Sequence, residues 1–565
     1  MVPRKRKTKN LFGFQYFILT ILAFTLFYPN RLIAQNKNQD LLPEKKNDIS
    51  KVWNPDLGNG KYKNPVIFAD YSDPDVCRKG DDYYLVSSSF DAVPGLPILH
   101  SKDLVNWTII GHALLRQPPY QHFSKPQHGN GVWAPAIRYH NNEFYIYYPD
   151  PDYGIYLVKA KDPAGPWSTP VLVQSGRGLI DPCPLWDDNG KVYLVHAYAG
   201  SRAGIKSILT INRLNEDGTK FLDEGVLIYD GHGIDPTVEG PKIYKRNGYY
   251  YVFAPAGGVS GGWQIVLRSK NIYGPYERRK VMAQGKTTIN GPHQGAWIET
   301  PEGKSWFIHF REMNAYGRVV YLEPMKWSDN WPVIGVDQNS NGIGEPVYSY
   351  QKPDVGKTYP VETPQTSDEF NSIKLGLQWQ WQANPEATWL FTSGEGYLRL
   401  YAKTLPDSFR NYWDVPNILM QKFPADKFMV TTKLTFHPLQ EGDKTGFIVI
   451  GMDYAYLSLT KKEDGIYLSY TTCNHANKGN AEVSKEIKKL ADGMIYLRVK
   501  VDTGAVCYFS YSMDGNKFDK IENPFTAEPG QWIGAKVGIF CTSIKKAHDS
   551  GYTDFDWVRI DPNVK

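Results

Sequence analysis

Three carboxylates share one place in a repeated pattern. Asp73 in FADYSDPDVCR, Asp181 in GLIDPCPLW and Glu239 in DPTVEGPKIY each stand roughly eight residues before a Gly or Asn turn that opens an aromatic strand. Two facing carboxylates, one protonated and one ionised, are the minimum for splitting a glycosidic bond. The protonated group gives its proton to the leaving oxygen. A third acid nearby raises the pKa of that donor, because like charges disfavour ionisation. A gap of about 6.5–9.5 Å between the working pair admits a water and gives inversion, whereas a narrow gap gives retention. Asp beside Pro is also a common turn former or cap, so each acid taken singly has a structural reading. Their common phase is what favours chemistry.

Other residues share that phase. Trp133 in GNGVWAPAIRY precedes the second turn, and His293 in NGPHQGAW precedes the fifth. Trp133 is a candidate wall for a sugar, with burial in a core as the alternative. His293 is a candidate for binding a central ion or water or for orienting a carboxylate; a satisfied core histidine is the alternative. Arg318 in AYGRVVYLEPM is a candidate to hold a carboxylate in its charged form or to bind sugar hydroxyls, against a plain surface role. Phe90, in SSSFDAVPG, completes the candidate substrate-binding set.

The elements that must position these residues are strands. The turn-and-strand unit recurs five times, as GDDYYLVSSS, NNEFYIYYPD, NGKVYLVHAY, NGYYYVFAPA and GKSWFIHFRE, at intervals of roughly fifty to sixty residues. Repeats of this length, each with several strands, form propeller blades around a channel. A second element, HSKDLVNW, AKDPAGPW and RSKNIYGPY, follows three of the turns at similar phase, with TINRLNEDG as a variant after another. Acids at one phase of blades one, three and four would converge at one mouth of the channel. A β-sandwich with fortuitous turn similarity is the competing fold. Helix-like runs are few and brief, Glu482 to Leu490 among them. The chain therefore reads as all-β, with a five-bladed β-propeller over 61–352, a Pro/Thr linker over 353–367 and a β-sandwich over 368–565. The turn-rich WPVIGVDQNSNGIGEP would close the last blade, and DEFN and DFDWVRI would pair as neighbouring strands of the sandwich.

Composition bounds the partners. The basic start Arg4 to Lys9 and the apolar run Phe17 to Tyr28 predict a cleaved signal peptide over 1–34, a secreted or periplasmic location and no membrane anchor thereafter. A flexible leader would follow over 35–60. The signal holds six basic residues and no acid, so its removal takes the formal +5 to about −1. Nothing in that balance argues for nucleic acid. The five cysteines, Cys77, Cys183, Cys473, Cys507 and Cys541, are widely spaced and read as buried free thiols, with one bridge in the C-terminal half as the alternative. No cofactor is required. Asp368, Asp554 and Asp556 are candidate ligands for a structural calcium, with exposed strand-edge acids as the plainer reading.

The ordered set NPVIFADYSDPDVCRKGDDYYLVSSSFDAVPGLPILHSKDLVNW, GVWAPAIRY, IDPCPLW, EGPKIYKRNGYYYVF, GPHQGAWIET and AYGRVVYLEPMKW resembles glycoside hydrolase family 43 enzymes of the β-xylosidase and α-L-arabinofuranosidase type. The resemblance runs from about Asn64 to the C-terminus. It implies a five-bladed propeller, a C-terminal concanavalin A-like jelly roll, and an inverting, exo-acting hydrolase that releases terminal pentose from plant cell-wall poly- or oligosaccharides. It further implies that Asp73 is the general base, Glu239 the general acid and Asp181 the residue that tunes and orients that acid. Glu239 would then work protonated and Asp73 ionised. A non-catalytic carbohydrate-binding propeller is the alternative. Where many family xylosidases carry Glu-Trp-Phe before the Pro-Gly of the first blade, this chain has Asp91, Ala92 and Val93, which would alter the pocket wall and leave room for an arabinofuranoside. The sandwich would shape the rim of the site or bind carbohydrate itself.

Overall fold

The computed structural model describes residues 49–546 and 551–563. The expected signal peptide and most of the leader lie outside the described residues.

Five four-stranded antiparallel sheets form the propeller. Each recurrent turn joins the innermost strand of a blade to the next one out. In blade two, Asn141 and Asn142 connect Ala136–His140 to Glu143–Asp150, and both take left-handed backbone angles, φ 48° and 62°. Asn247 and Gly248 do the same in blade four, φ 50° and 75°. Left-handed angles at both centres define the two-residue hairpin turn that matches strand twist, which is why Asn and Gly recur there. The second repeated element joins the third strand to the fourth. Its closing aromatic bonds back over the turn: Trp107 Nε1 donates to Leu104 O, Trp167 Nε1 to Pro163 O and Tyr276 OH to Ile272 O.

The innermost strands line the channel: Asp75–Lys79, Ala136–His140, Leu179–Trp186, Lys242–Arg246 and His293–Glu299. Below the mouth they are cross-linked by an ion pair from Arg138 to fully buried Asp75, 2.6 Å, whose Oδ2 also accepts from Ile137 N. Blade five is built from one continuous stretch and ends with Trp331–Ile334. The ring is tied by a separate pair, Lys61–Lys63 with Ser349–Gln351, which joins the two ends of the domain.

Two eight-stranded sheets make the sandwich. Its apolar interior, with Phe447, Leu457 and Ile495, continues without a break into Phe68, Tyr316 and Val319 of the propeller. Backbone bonds cross the junction between Val93 and Trp381, and from Ala535 N to Ala315 O. Asp368 pairs with Val558, as expected of DEFN and DFDWVRI.

Three expectations are corrected. The run near Glu482 to Leu490 is not helical but a strand, Val483–Leu490, at the edge of its sheet. Its Lys and Glu side chains are the charges that keep a free edge from pairing further. The leader is not flexible from Ile49 on: Trp53 packs on Phe68 and bonds Pro65 O, and Asp56 pairs with Lys352 at 2.6 Å. The calcium ligands are otherwise engaged. Asp368 accepts from Trp379 and Gln378, Asp554 pairs with Arg399, and Asp556 with Lys433. All five cysteines are buried free thiols.

Candidate active site

One position per blade faces the same mouth of the channel. Asp73 lies just before the innermost strand of blade one, Trp133 before that of blade two, and Glu239 before that of blade four. Asp181 sits in a bulge of blade three's inner strand, and His293 begins that of blade five. With Phe90, Arg318, Val259, Gln294 and Trp532 they line a cavity of about 150 Å³. All seven residues singled out in the sequence are there.

The backbone is bent to aim them. Asp73, Phe90, Asp181 and Gln294 all have left-handed angles, φ 54°, 51°, 57° and 41°. Such angles cost on the order of 1–3 kcal/mol each away from Gly and gather where function needs a side chain redirected. At Phe90 the turn is held by reciprocal bonds with Val132: each backbone N donates to the other's O, 2.9 and 3.0 Å. Beyond it the chain departs from the pocket. Asp91 and Ala92 face a small cavity against the sandwich, and Val93 pairs with Trp381. The expectation that these three residues form the sugar-facing wall is therefore corrected; Phe90 alone of this stretch does so.

The carboxylates stand in unlike surroundings. Asp73 is encircled by donors. Its Oδ2 accepts from Ser72 Oγ at 2.7 Å and Ser88 Oγ at 2.5 Å, and Arg318 Nη1 lies 3.4 Å from Oδ1. Asp181 is fully buried, and its Oδ2 accepts from Gly240 N at 2.7 Å. Burial first, and the charge of Glu239 second, push its carboxyl up to about 8. Glu239 is open to the cavity, with 31% of its side chain exposed, and its Oε1 lies 2.9 Å from Nε2 of buried His293. His293 thus orients a carboxylate, one of the roles anticipated for it. Gly240 is needed where it is: φ is +57°, and a Cβ would lie 2.7 Å from the Gln294 side chain.

Three buried polar atoms at the cavity have no protein partner: Arg318 Nε, His293 Nδ1 and Gln294 Oε1. Buried polar groups are nearly always bonded, so these three are donors and acceptors left without a protein partner beside the cavity. Trp133 donates its Nε1 to Gly129 O and carries the Arg202 guanidinium 5.4 Å from its ring.

Trp532, which the sequence did not reveal, lines the cavity beside it. It comes from a loop of the sandwich, takes φ 65°, and sits edge-on to Trp133 with ring centroids 6.5 Å apart. PGQWIG advertises a turn with an exposed aromatic, but nothing local says which surface it meets. Ser72, Ser88 and Gln294 were missed for a milder reason: Ser72 and Gln294 adjoin flagged residues, and Ser88 reaches Asp73 only through its side chain, 15 residues on.

Residues 62–332 match the model of glycosyl hydrolases family 43, and 367–561 match that of the beta-xylosidase C-terminal concanavalin A-like domain. The chain is 35% identical over 601 residues to a beta-xylosidase of Formosa agariphila, covering 95% of this chain and 97% of the relative. The chain belongs to glycosyl hydrolase family 43. Within the family it is also 32% identical over 431 residues to a non-reducing end alpha-L-arabinofuranosidase of Bacteroides ovatus, 72% of this chain and 77% of that one. The solved family 43 protein BlXynB from Bacillus licheniformis, in a mutant form, superposes with TM-score 0.76 at 27% identity over 89% of this chain and all of its own. A family 43 glycosidase is thus built here from a propeller that carries the acids and a sandwich that adds one aromatic wall.

Proposed function

We propose that this glycosidase is an inverting exo-hydrolase that frees terminal β-D-xylose, α-L-arabinofuranose or both from plant cell-wall oligo- and polysaccharides. The observation that carries the reading is the small cavity where carboxylates from three blades meet under Trp532. The cavity's volume of about 150 Å³ is small, in keeping with one terminal sugar ring. The ion-paired channel beneath and Trp532 above favour a chain end over a chain interior.

In this reading the Glu239 carboxyl protonates the glycosidic oxygen as its bond to the anomeric carbon breaks. Asp73 takes a proton from a water that forms the new bond to that carbon from the opposite face. Asp181, through its bond from the backbone N of Gly240, sets the position of Glu239. Arg318 and the two serines hold Asp73 in place. His293 holds Glu239. The free Nε of Arg318 and the Gln294 carbonyl oxygen are donor and acceptor for ring hydroxyls. The names of the two relatives support the pentose class, and the two sugars present similar hydroxyl patterns.

NMR of the first-formed anomer tests the stereochemistry: α-xylose from a β-xyloside is expected, and β-xylose overturns the inverting mechanism. Paired kcat/KM values on p-nitrophenyl β-D-xyloside and α-L-arabinofuranoside rank the sugars. Absence of turnover on both removes the pentosidase reading.

A further inference from the structure

Asp70 lies three residues before Asp73 and outside the sugar cavity. It is buried, 5% exposed, and both of its oxygens are used. Oδ1 accepts from the backbone N of Arg318 at 2.9 Å. Oδ2 accepts from the backbone N of Gly534, across the domain junction, also at 2.9 Å. One carboxylate therefore grips the residue that holds Asp73 and the loop that carries Trp532.

The packing leaves no slack at this point. A Cβ on Gly317 would lie 2.5 Å from Asp70 Cγ, and one on Gly534 would lie 2.8 Å from Gly317 N. Glycine at both positions lets three chain segments touch. Gly317 has φ 73°, a left-handed angle that suits glycine. The next residue along the loop is tied too, Ala535 N to Ala315 O at 2.7 Å. On the sandwich side two lysines, half-buried Lys422 and buried Lys536, stand in register on adjacent strands. Withdrawal from solvent lowers both pKa values, and the charge of Asp70 opposes that shift in each. Asp70 is thus the propeller's buried anion facing two cations of the sandwich, with Asp91 as a second anion towards Lys536.

We infer that Asp70 is a positioning residue that locks the Trp532 loop of the sandwich to the Arg318–Asp73 side of the active site, so that sugar binding and the setting of the base depend on one interdomain carboxylate. It acts through Arg318 and Trp532 and touches no substrate. The inference rests on the catalytic reading of the cavity, and the two fail differently: loss of parent turnover removes that reading, whereas the loop measurement below needs no turnover.

Asp70→Asn keeps the size but leaves only one acceptor for two N–H groups. Displacing catalytic groups by about 1 Å can cost about 100-fold. The expected result is a 10- to 100-fold fall in kcat/KM on the aryl pentoside the parent prefers, with KM raised as well as kcat lowered. In a Trp532→Ala background the KM part of the Asp70→Asn effect should vanish, since the loop then has no ring to place, while the kcat part carried by Arg318 and Asp73 remains. Hydrogen exchange of segment 528–535 should quicken in Asp70→Asn. Gly534→Ala, which keeps the carboxylate and forces the loop away, should reproduce the kinetic signature and serves where Asp70→Asn does not fold. A full KM effect of Asp70→Asn that persists in the Trp532→Ala background, or unchanged exchange in 528–535, overturns the inference.

Discussion

The two sides of the pocket are built on different foundations. Glu239, His293 and Asp181 stand wholly on propeller segments, and their bonds stay among blades three, four and five. Asp73 and Arg318 stand at the seam, where Asp70 and Gly534 tie them to the sandwich. The first side sets a fully buried carboxylate, Asp181, against a second one open to the cavity, and burial with the neighbouring charge strengthens the hold of Asp181 on its proton. The second surrounds one carboxylate with hydroxyls and a guanidinium, which suits an anion. Like side chains acquire unlike tasks from what is packed around them.

The sharpest break in that comparison is a leaving-group test. Glu239→Gln should cut kcat on xylo-oligosaccharides by roughly 10³-fold, and clearly less on p-nitrophenyl glycosides, whose leaving group needs little help from a proton. Asp73→Asn should cost roughly 10³-fold on both, because its task does not involve the leaving group. Equal losses in the two variants on both substrates would erase the distinction between the sides.

Arg318→Ala removes the cation beside Asp73. A fall of about 100-fold in kcat/KM is expected, with the larger part in kcat. Asp181→Asn tests the other side by pH. Burial and the neighbouring charge raise Asp181 to about 8, so it is largely neutral at pH 7 and gains a charge beside Glu239 as pH rises through that value. Asp181→Asn removes this titration, so the change in kcat/KM around pH 8 should flatten, with about a 10-fold loss of rate from the altered setting of Glu239. A profile around pH 8 that is the same in Asp181→Asn would mean that Asp181 does not shape the pH dependence.

Trp532→Ala should raise KM about 10-fold, the worth of one well-placed aromatic face, with kcat changed less. The smallest expected effect is on stability at the seam. Desolvation lowers the pKa of Lys422 to about 7. Between pH 7 and its unfolded value near 10.4, the unfolded chain binds the extra proton, so stability from this group rises with pH and is least below pH 7. Lys422→Met should therefore stabilise the protein more at pH 6 than at pH 9, by a difference of roughly 2 kcal/mol, read by chemical denaturation at the two pH values.

Much of this was legible along the chain. The Asn and Gly turns marked the inner hairpin of every blade because only such residues take its left-handed angles cheaply. Counting back from them reached Asp73, Asp181 and Glu239, since the inner strands are of similar length. Val483–Leu490 was misread because an edge strand dressed in Lys and Glu lacks the alternation that marks a half-buried one. The first-blade residues Asp91 to Val93 were placed on the sugar side because sequence shows adjacency to Phe90 but not the left-handed turn at Phe90 that sends them to the sandwich.

The sequence by itself determined the repeat, the phase of the acids and the switch from propeller to sandwich, because periodicity and turn chemistry are local. Only the tertiary structure decided which carboxylate is crowded and which is ringed by donors, that Trp532 walls the cavity, and that Asp70 ties the two domains at the base. Those depend on contacts between segments up to about 460 residues apart, and side-chain electrostatics and packing are set by whatever lies nearest in space, not in sequence.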